Sequence, residues 1–124
     1  MTKGKHVILC VDDDADFLYS LKIILGDAYV VETAPSAEEG IEKYKALQPD
    51  FIFVDLMMEE VDSGVNFVKE LRALGKTPPI FMLSSVGDGL NLCSDYTQLG
   101  LAGVLQKPID PATVMATLKA KLSM

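Results

Sequence analysis

Along nearly the whole chain, short apolar runs alternate with amphipathic stretches, a pattern typical of a parallel β-sheet whose strands are joined by helices. The runs of strand length cover residues 6–11, 29–33, 51–54, 80–83 and 102–105. Apolar residues at helical spacing predict helices over residues 14–25, 36–47, 67–74, 88–99 and 111–122, the fourth with the weakest pattern. This alternation predicts one α/β domain over residues 1–124, with helices covering both faces of the sheet.

Short polar side chains stand where three of these helices are predicted to begin. Asp14 and Ser36 precede the first two helices, and Glu39 follows Ser36 at the spacing of a capping box. Asp110 precedes Pro111, the arrangement of an N-cap followed by the first helical residue. We therefore expect the Asp14 side chain to bind backbone N–H groups rather than a metal ion.

The composition argues against several classes of partner. The 124 residues carry a formal net charge of −7, whereas unaided binding to nucleic acid or anionic lipid needs clustered Lys and Arg. No apolar stretch approaches the roughly 20 residues of a membrane span, and residues 7–11 are too short for a signal peptide core. Cys10 and Cys93 lack zinc-site spacing and His6 is the only histidine, so both cysteines are expected to be buried in a cytoplasmic protein.

Polar residues follow four of the predicted strands at the point where each strand ends. They are Asp12, Asp13 and Asp14 after the first strand, Asp55 after the third, Ser84 and Ser85 after the fourth, and Lys107 after the fifth. In open parallel sheets, ligands bind beyond the carboxyl ends of the strands. The sequence therefore predicts that several carboxylates, a hydroxyl group and one ammonium group meet at one edge of the sheet.

Clustered carboxylates repel one another and so require a cation. Oxygen ligands at a small site favour Mg²⁺ or Mn²⁺. A metal ion beside a free carboxylate, with a lysine opposite, is suited to receive a phosphoryl group, because both cations neutralise charge on the transferring oxygens. A carboxylate nucleophile would then form an aspartyl phosphate.

Four motifs give the chain a resemblance to a known family. They are Val11-Asp12-Asp13, Asp55-Leu56-Met57-Met58, Met82-Leu83-Ser84-Ser85 and Lys107-Pro108. In this order and spacing they resemble the receiver domains of two-component response regulators, from about His6 to Leu122. The resemblance implies a flavodoxin-like (βα)5 three-layer sandwich with a five-stranded parallel sheet in the order 2-1-3-4-5.

The resemblance also implies a role for each matching residue. Asp55 would be the phosphoacceptor. Asp12 and Asp13 would bind Mg²⁺ together with Asp55 and the backbone carbonyl of Met57. Ser84 would donate its hydroxyl to the phosphoryl group, and Lys107 would pair with a phosphoryl oxygen. The donor would be a sensor histidine kinase or a histidine phosphotransfer protein. The domain would act as a switch rather than a turnover enzyme, and would signal through altered contacts with a downstream protein.

Several positions depart from the family pattern. Val104 stands where the family usually has an aromatic residue that reports phosphorylation, and Glu59 and Ser63 stand where Pro and Gly are common. Met57 and Val86 are apolar at positions that, in the family, border the path of attacking water. This predicts a long-lived phosphorylated state, which Met57→Asn should shorten.

Two other functions stay open at the level of sequence. The departures suggest a degenerate receiver that acts as an interaction module without phosphorylation. Asp12 and Asp14 also resemble the Asp-x-Asp motif of haloacid-dehalogenase phosphatases, although only Asp110, and no acidic pair, follows Lys107. The sequence leaves open the oligomeric state and whether the domain stands alone or belongs to a larger regulator.

Overall fold

The computed structural model describes residues 6–26, 28–55, 63–75, 77–84, 103–106 and 110–122. The strands in these ranges are β1 (Val7–Val11), β2 (Val30–Ala34), β3 (Phe51–Asp55), β4 (Ile80–Ser84) and β5 (Gly103–Gln106). The helices are α1 (Ala15–Leu25), α2 (Ala37–Leu47), α3 (Ser63–Leu74) and α4 (Pro111–Leu122). The helix predicted over residues 88–99 lies outside the described residues. None of the helices described is both long and apolar enough to cross a lipid bilayer.

The five strands form one parallel sheet in the order β2-β1-β3-β4-β5, which confirms the predicted order. The prediction for β2 is wrong by one residue, because the strand starts at Val30 rather than Tyr29. The backbone N–H of Tyr29 donates to the carbonyl oxygen of Leu25 at 2.9 Å, so this residue belongs to the turn that ends α1.

Two hydrophobic clusters, one on each face of the sheet, hold the helices in place. Alternate residues of β1 divide between them, because successive side chains of a strand point to opposite faces. Leu9 and Val11 pack in the cluster that α2 and α3 cover, and Ile8 and Cys10 pack in the cluster that α1 and α4 cover. Burial on both faces explains why β1 and the first four residues of β3 are continuously apolar.

The predicted helix caps are confirmed at the three positions. The Asp14 carboxylate accepts hydrogen bonds from the N–H groups of Asp16 and Phe17 at 3.0 and 3.3 Å. Ser36 Oγ accepts from Glu39 N–H at 3.2 Å, and the Asp110 carboxylate accepts from Thr113 N–H at 3.0 Å. Each such cap stabilises its helix by about 1 kcal/mol. The caps fix where α1, α2 and α4 begin, at the edge of the sheet where the strands end.

Gly40 lets α2 approach the sheet and α3 closely. A Cβ atom at this buried position would lie 2.8 Å from Cε1 of Phe67 and 2.9 Å from Cγ2 of Val11. Real Cβ atoms do not tolerate such distances, so any larger residue would push the helix outward. The absence of a side chain at Gly40 therefore sets the position of α2 beside the end of β1.

Candidate functional site

The carboxyl ends of β1 and β3 lie side by side and bring three carboxylates together. Val11 pairs with Val54, so that the next residues, Asp12 and Asp55, meet at the same edge of the sheet. Asp12 is fully buried and Asp55 is 5% exposed, whereas Asp13 is exposed. One oxygen from each of these three residues lies within 4.8 Å of the other two. The predicted convergence of the acids is therefore confirmed.

Backbone hydrogen bonds fix the position of Asp12. Its N–H group donates to the carbonyl oxygen of Ala34 at 3.0 Å, and its Oδ1 atom accepts from the N–H group of Asp14 at 2.9 Å. The first bond ties Asp12 to the last residue of β2, the second to the start of α1. The end of β2 thus takes part in the site through a backbone atom, a contribution that the sequence analysis missed.

The three consecutive acids that follow β1 have different structural roles. Asp14 caps α1, as predicted, and does not belong to the group of carboxylates that converge with Asp55. Asp12 and Asp13 do belong to that group. A run of three consecutive acids therefore contains two candidate metal ligands and one helix cap.

The arrangement of oxygen atoms fits a small divalent cation. Magnesium binds oxygen ligands at about 2.1 Å, so ligands on opposite sides of the ion lie about 4.2 Å apart. The three carboxylate oxygens lie within 4.8 Å of one another and would need to move only slightly to share such an ion. Two unit charges at that distance repel by roughly 3 kcal/mol at an effective dielectric constant near 20. A bound cation would remove this repulsion between the buried groups.

Cys10 lies two residues before Asp12 but is unsuited to metal binding. Burial raises the pKa of its thiol well above the ordinary value of 9.0, and the negative charge of Asp12 raises it further. The thiol is therefore protonated at neutral pH, and its sulfur atom does not belong to the group of ligand atoms that converge with Asp55. Cys10 packs in the cluster under α1 and α4, as expected for a small apolar residue.

The structure describes only part of the remaining predicted site. Ser84 is the last residue of β4, and its neighbour Leu83 pairs with Asp55, so the backbone of Ser84 ends at the same edge. The side chains of Ser84 and Val104 lie outside the described part of the chain. Met57 and Lys107 also lie outside the described residues. Their predicted roles stay predictions.

Comparison with known proteins places the chain among signalling domains of this fold. The family model of the response regulator receiver domain matches residues 8–119. Chemotaxis protein CheY of Bacillus subtilis is 31% identical over 120 residues, which are 95% of this chain and 98% of CheY. Transcriptional regulatory protein ResD of the same organism is 32% identical over 116 residues, 93% of this chain but 47% of ResD.

Solved structures give the same result at the level of the fold. The structure of chemotaxis protein CheY4 from Vibrio cholerae superimposes with a TM-score of 0.86 at 32% identity. The match covers 96% of this chain and 100% of the CheY4 chain. A putative response regulator from Chloroflexus aurantiacus superimposes with a TM-score of 0.85 at 31% identity, over 98% of this chain and 100% of that chain. The three-layer fold and its strand order are therefore shared with these proteins.

Proposed function

Because the chain belongs to the family of response regulator receiver domains, we propose that it accepts a phosphoryl group on Asp55 in a step that requires Mg²⁺ or Mn²⁺. The observation that carries this proposal is the convergence of Asp12 and Asp13 on Asp55, with their oxygens within 4.8 Å of one another. Receiver domains act in two-component phosphorelays, so the donor would be the phosphohistidine of a sensor histidine kinase or of a histidine phosphotransfer protein.

The transfer is a displacement at phosphorus in which Asp55 is the nucleophile. A carboxylate oxygen of Asp55 forms a bond to phosphorus while the bond between phosphorus and the donor imidazole nitrogen breaks. The electron pair of the broken bond returns to the imidazole ring, and Asp55 becomes a mixed anhydride. When bound, the cation would neutralise negative charge on the transferring oxygens.

Burial gives Asp55 and Asp12 different tasks from Asp13 in this proposal. Asp12 and Asp55 stand at the ends of buried strands, which hold their oxygens in place before the cation binds. Asp13 is exposed and can approach the cation from the solvent side. The Met57 carbonyl oxygen, the Ser84 hydroxyl and the Lys107 ammonium group would complete the site by analogy with the family. The acyl phosphate would then shift an equilibrium between two conformations and alter contacts with a downstream protein.

Phosphorylation by a small donor tests the proposal. The protein is incubated with acetyl phosphate and Mg²⁺, and its intact mass is measured with time. We expect a labile gain of one phosphoryl group that disappears in Asp55→Asn and when EDTA replaces Mg²⁺. Asp16→Asn, which changes an exposed acid in the first turn of α1, is the matched control and should be modified normally.

The other outcomes identify the alternatives. A modification that survives in Asp55→Asn but is lost in Asp12→Asn would favour a haloacid-dehalogenase-type phosphatase. No modification of the wild type with any small donor, together with a stable fold, would favour a receiver that binds its partner without phosphorylation. Either result would contradict the proposed role of Asp55.

A further inference from the structure

Lys43 on α2 contacts the end of β2, next to the residue that holds Asp12. Its Nζ atom donates a hydrogen bond to the carbonyl oxygen of Thr33 at 2.7 Å and lies 3.5 Å from Oε1 of Glu32. The interaction with the carbonyl oxygen is a charge-assisted hydrogen bond, a strong class of such bonds.

The Thr33 carbonyl group faces away from the rest of the sheet. β2 is an edge strand, and Val30 N–H and the Ala34 carbonyl are the groups that bond toward β1. Backbone groups of successive residues in a strand point to opposite sides, so those of Thr33 point outward. Lys43 therefore binds a carbonyl group that would otherwise face water at an open edge.

From these contacts we infer that Lys43 is a positioning residue for the cation site, because it holds the end of β2, and the end of β2 in turn holds Asp12. The peptide group that Lys43 holds joins Thr33 to Ala34, and the carbonyl oxygen of Ala34 accepts the hydrogen bond from Asp12 N–H at 3.0 Å. The end of β2 is thus fixed from its outer side by Lys43 and from its inner side by Asp12. This inference rests on the proposed cation-dependent function, since its consequence is the affinity for the ion.

The sign of the effect separates positioning from simple electrostatics. Removal of a positive charge near an acidic site should strengthen cation binding, because it leaves the local potential more negative. Loss of positioning should instead weaken binding, because Asp12 is no longer held in place. We expect Lys43→Met to weaken Mg²⁺ binding about threefold. This is below the roughly 10- to 100-fold loss typical of residues that contact a metal ligand directly, because Lys43 acts through β2.

Titration calorimetry with Mg²⁺ provides the first measurement. Lys43→Arg keeps a charged donor and should bind Mg²⁺ nearly as well as the wild type. Lys45→Met removes an exposed charge from the same helix and should bind Mg²⁺ equally or slightly more tightly. Lys43→Met with unchanged or tighter binding, even if its melting temperature falls, would show that Lys43 only stabilises the fold and would overturn the inference.

Hydrogen exchange in the metal-free protein provides a readout that does not depend on the ion. The amide of Asp12 should exchange about threefold faster in Lys43→Met, in parallel with the loss of affinity. The amide of Ile52 in the central strand β3 donates to the Pro79 carbonyl oxygen at 3.0 Å, near the amino ends of β3 and β4, and its exchange should be unchanged. Equal acceleration at both amides would indicate general destabilisation and would contradict the inference.

The two proposals can fail separately. If the wild type does not bind Mg²⁺, the proposed function fails, while the exchange of the Asp12 amide still tests whether Lys43 fixes the end of β2. If the wild type binds Mg²⁺ and Lys43→Met binds it equally well, only the positioning role fails.

Discussion

Replacement of Asp55 by asparagine should stabilise the metal-free protein, although it removes the proposed phosphoacceptor. Asp55 is 5% exposed and Asp12 is fully buried, so the repulsion between their carboxylates is weakly screened by solvent. The substitution removes one of the two charges and keeps nearly the same shape. A gain in stability on loss of a functional group would indicate that the site is held in an electrostatically unfavourable state.

The distance between the oxygens sets the magnitude. At 4.8 Å, the outer limit for this group, two unit charges repel by roughly 3 kcal/mol at an effective dielectric constant near 20. An asparagine amide cannot replace every interaction of the carboxylate, which lowers the net gain to about 1–2 kcal/mol. For a domain of this size, such a gain corresponds to a rise in melting temperature of roughly 3–8 °C.

Urea denaturation at pH 7 with EDTA and low salt measures this difference directly. Asp16→Asn is the matched control, because it removes an acid from the first turn of α1, where a negative charge is favourable, and should lower stability slightly. Added Mg²⁺ should stabilise the wild type and reverse the order of the wild type and Asp55→Asn. An equal or lower unfolding free energy for Asp55→Asn without metal would refute the reasoning about repulsion.

Three further predictions follow from other parts of the structure. Magnesium at one hundred times its dissociation constant should stabilise the wild type by about 2.7 kcal/mol, and Asp13→Asn should reduce this gain in a thermal melt. Gly40→Ala should lower the free energy of unfolding by about 1–3 kcal/mol, because a Cβ atom would lie 2.8 Å from Phe67. A higher free energy of unfolding, as expected for this substitution at an exposed helical site, would contradict the close packing at Gly40. Burial raises the pKa of the Cys10 thiol, so above pH 9 only the unfolded chain loses this proton, and the free energy of unfolding of the wild type should fall as the pH rises. In urea denaturation at pH 8–10.5, Cys10→Ala should show a shallower fall of the unfolding free energy.

Much of the fold could be predicted because the strands are buried on both faces. Residues such as Val7–Val11 and Phe51–Val54 have no polar member, a pattern that few elements other than central parallel strands show. The sequence pattern predicts a start of β2 one residue too early because Tyr29 is apolar, like the two valines that follow it. Its hydrogen bond to Leu25 depends on how α1 ends, which residue type alone does not reveal.

The acids of the site could also be predicted, because parallel strands with adjacent ends bring their next residues together. The hydrogen bond from Asp12 to the Ala34 carbonyl oxygen and the one from Lys43 to the Thr33 carbonyl oxygen could not be predicted. A backbone carbonyl oxygen leaves no trace in the sequence, and Lys43 reaches Thr33 from α2, a helix whose close approach to β1 depends on the missing side chain of Gly40. These contacts depend on the distance between a helix and a strand, which the local pattern of residues does not determine.

The hydrophobic cluster under α2 and α3 continues without interruption into the acidic site. Val11 and Val54 are buried members of that cluster, and the very next residue after each is a carboxylate of the site. If a cation binds as proposed, it and the well-packed interior would stabilise the same two strands, and weaker packing would be offset in part by ion binding. In a magnesium-rich environment, mutations that weaken the interior would be partly masked, so that this domain could accumulate sequence changes that it would not survive without the ion.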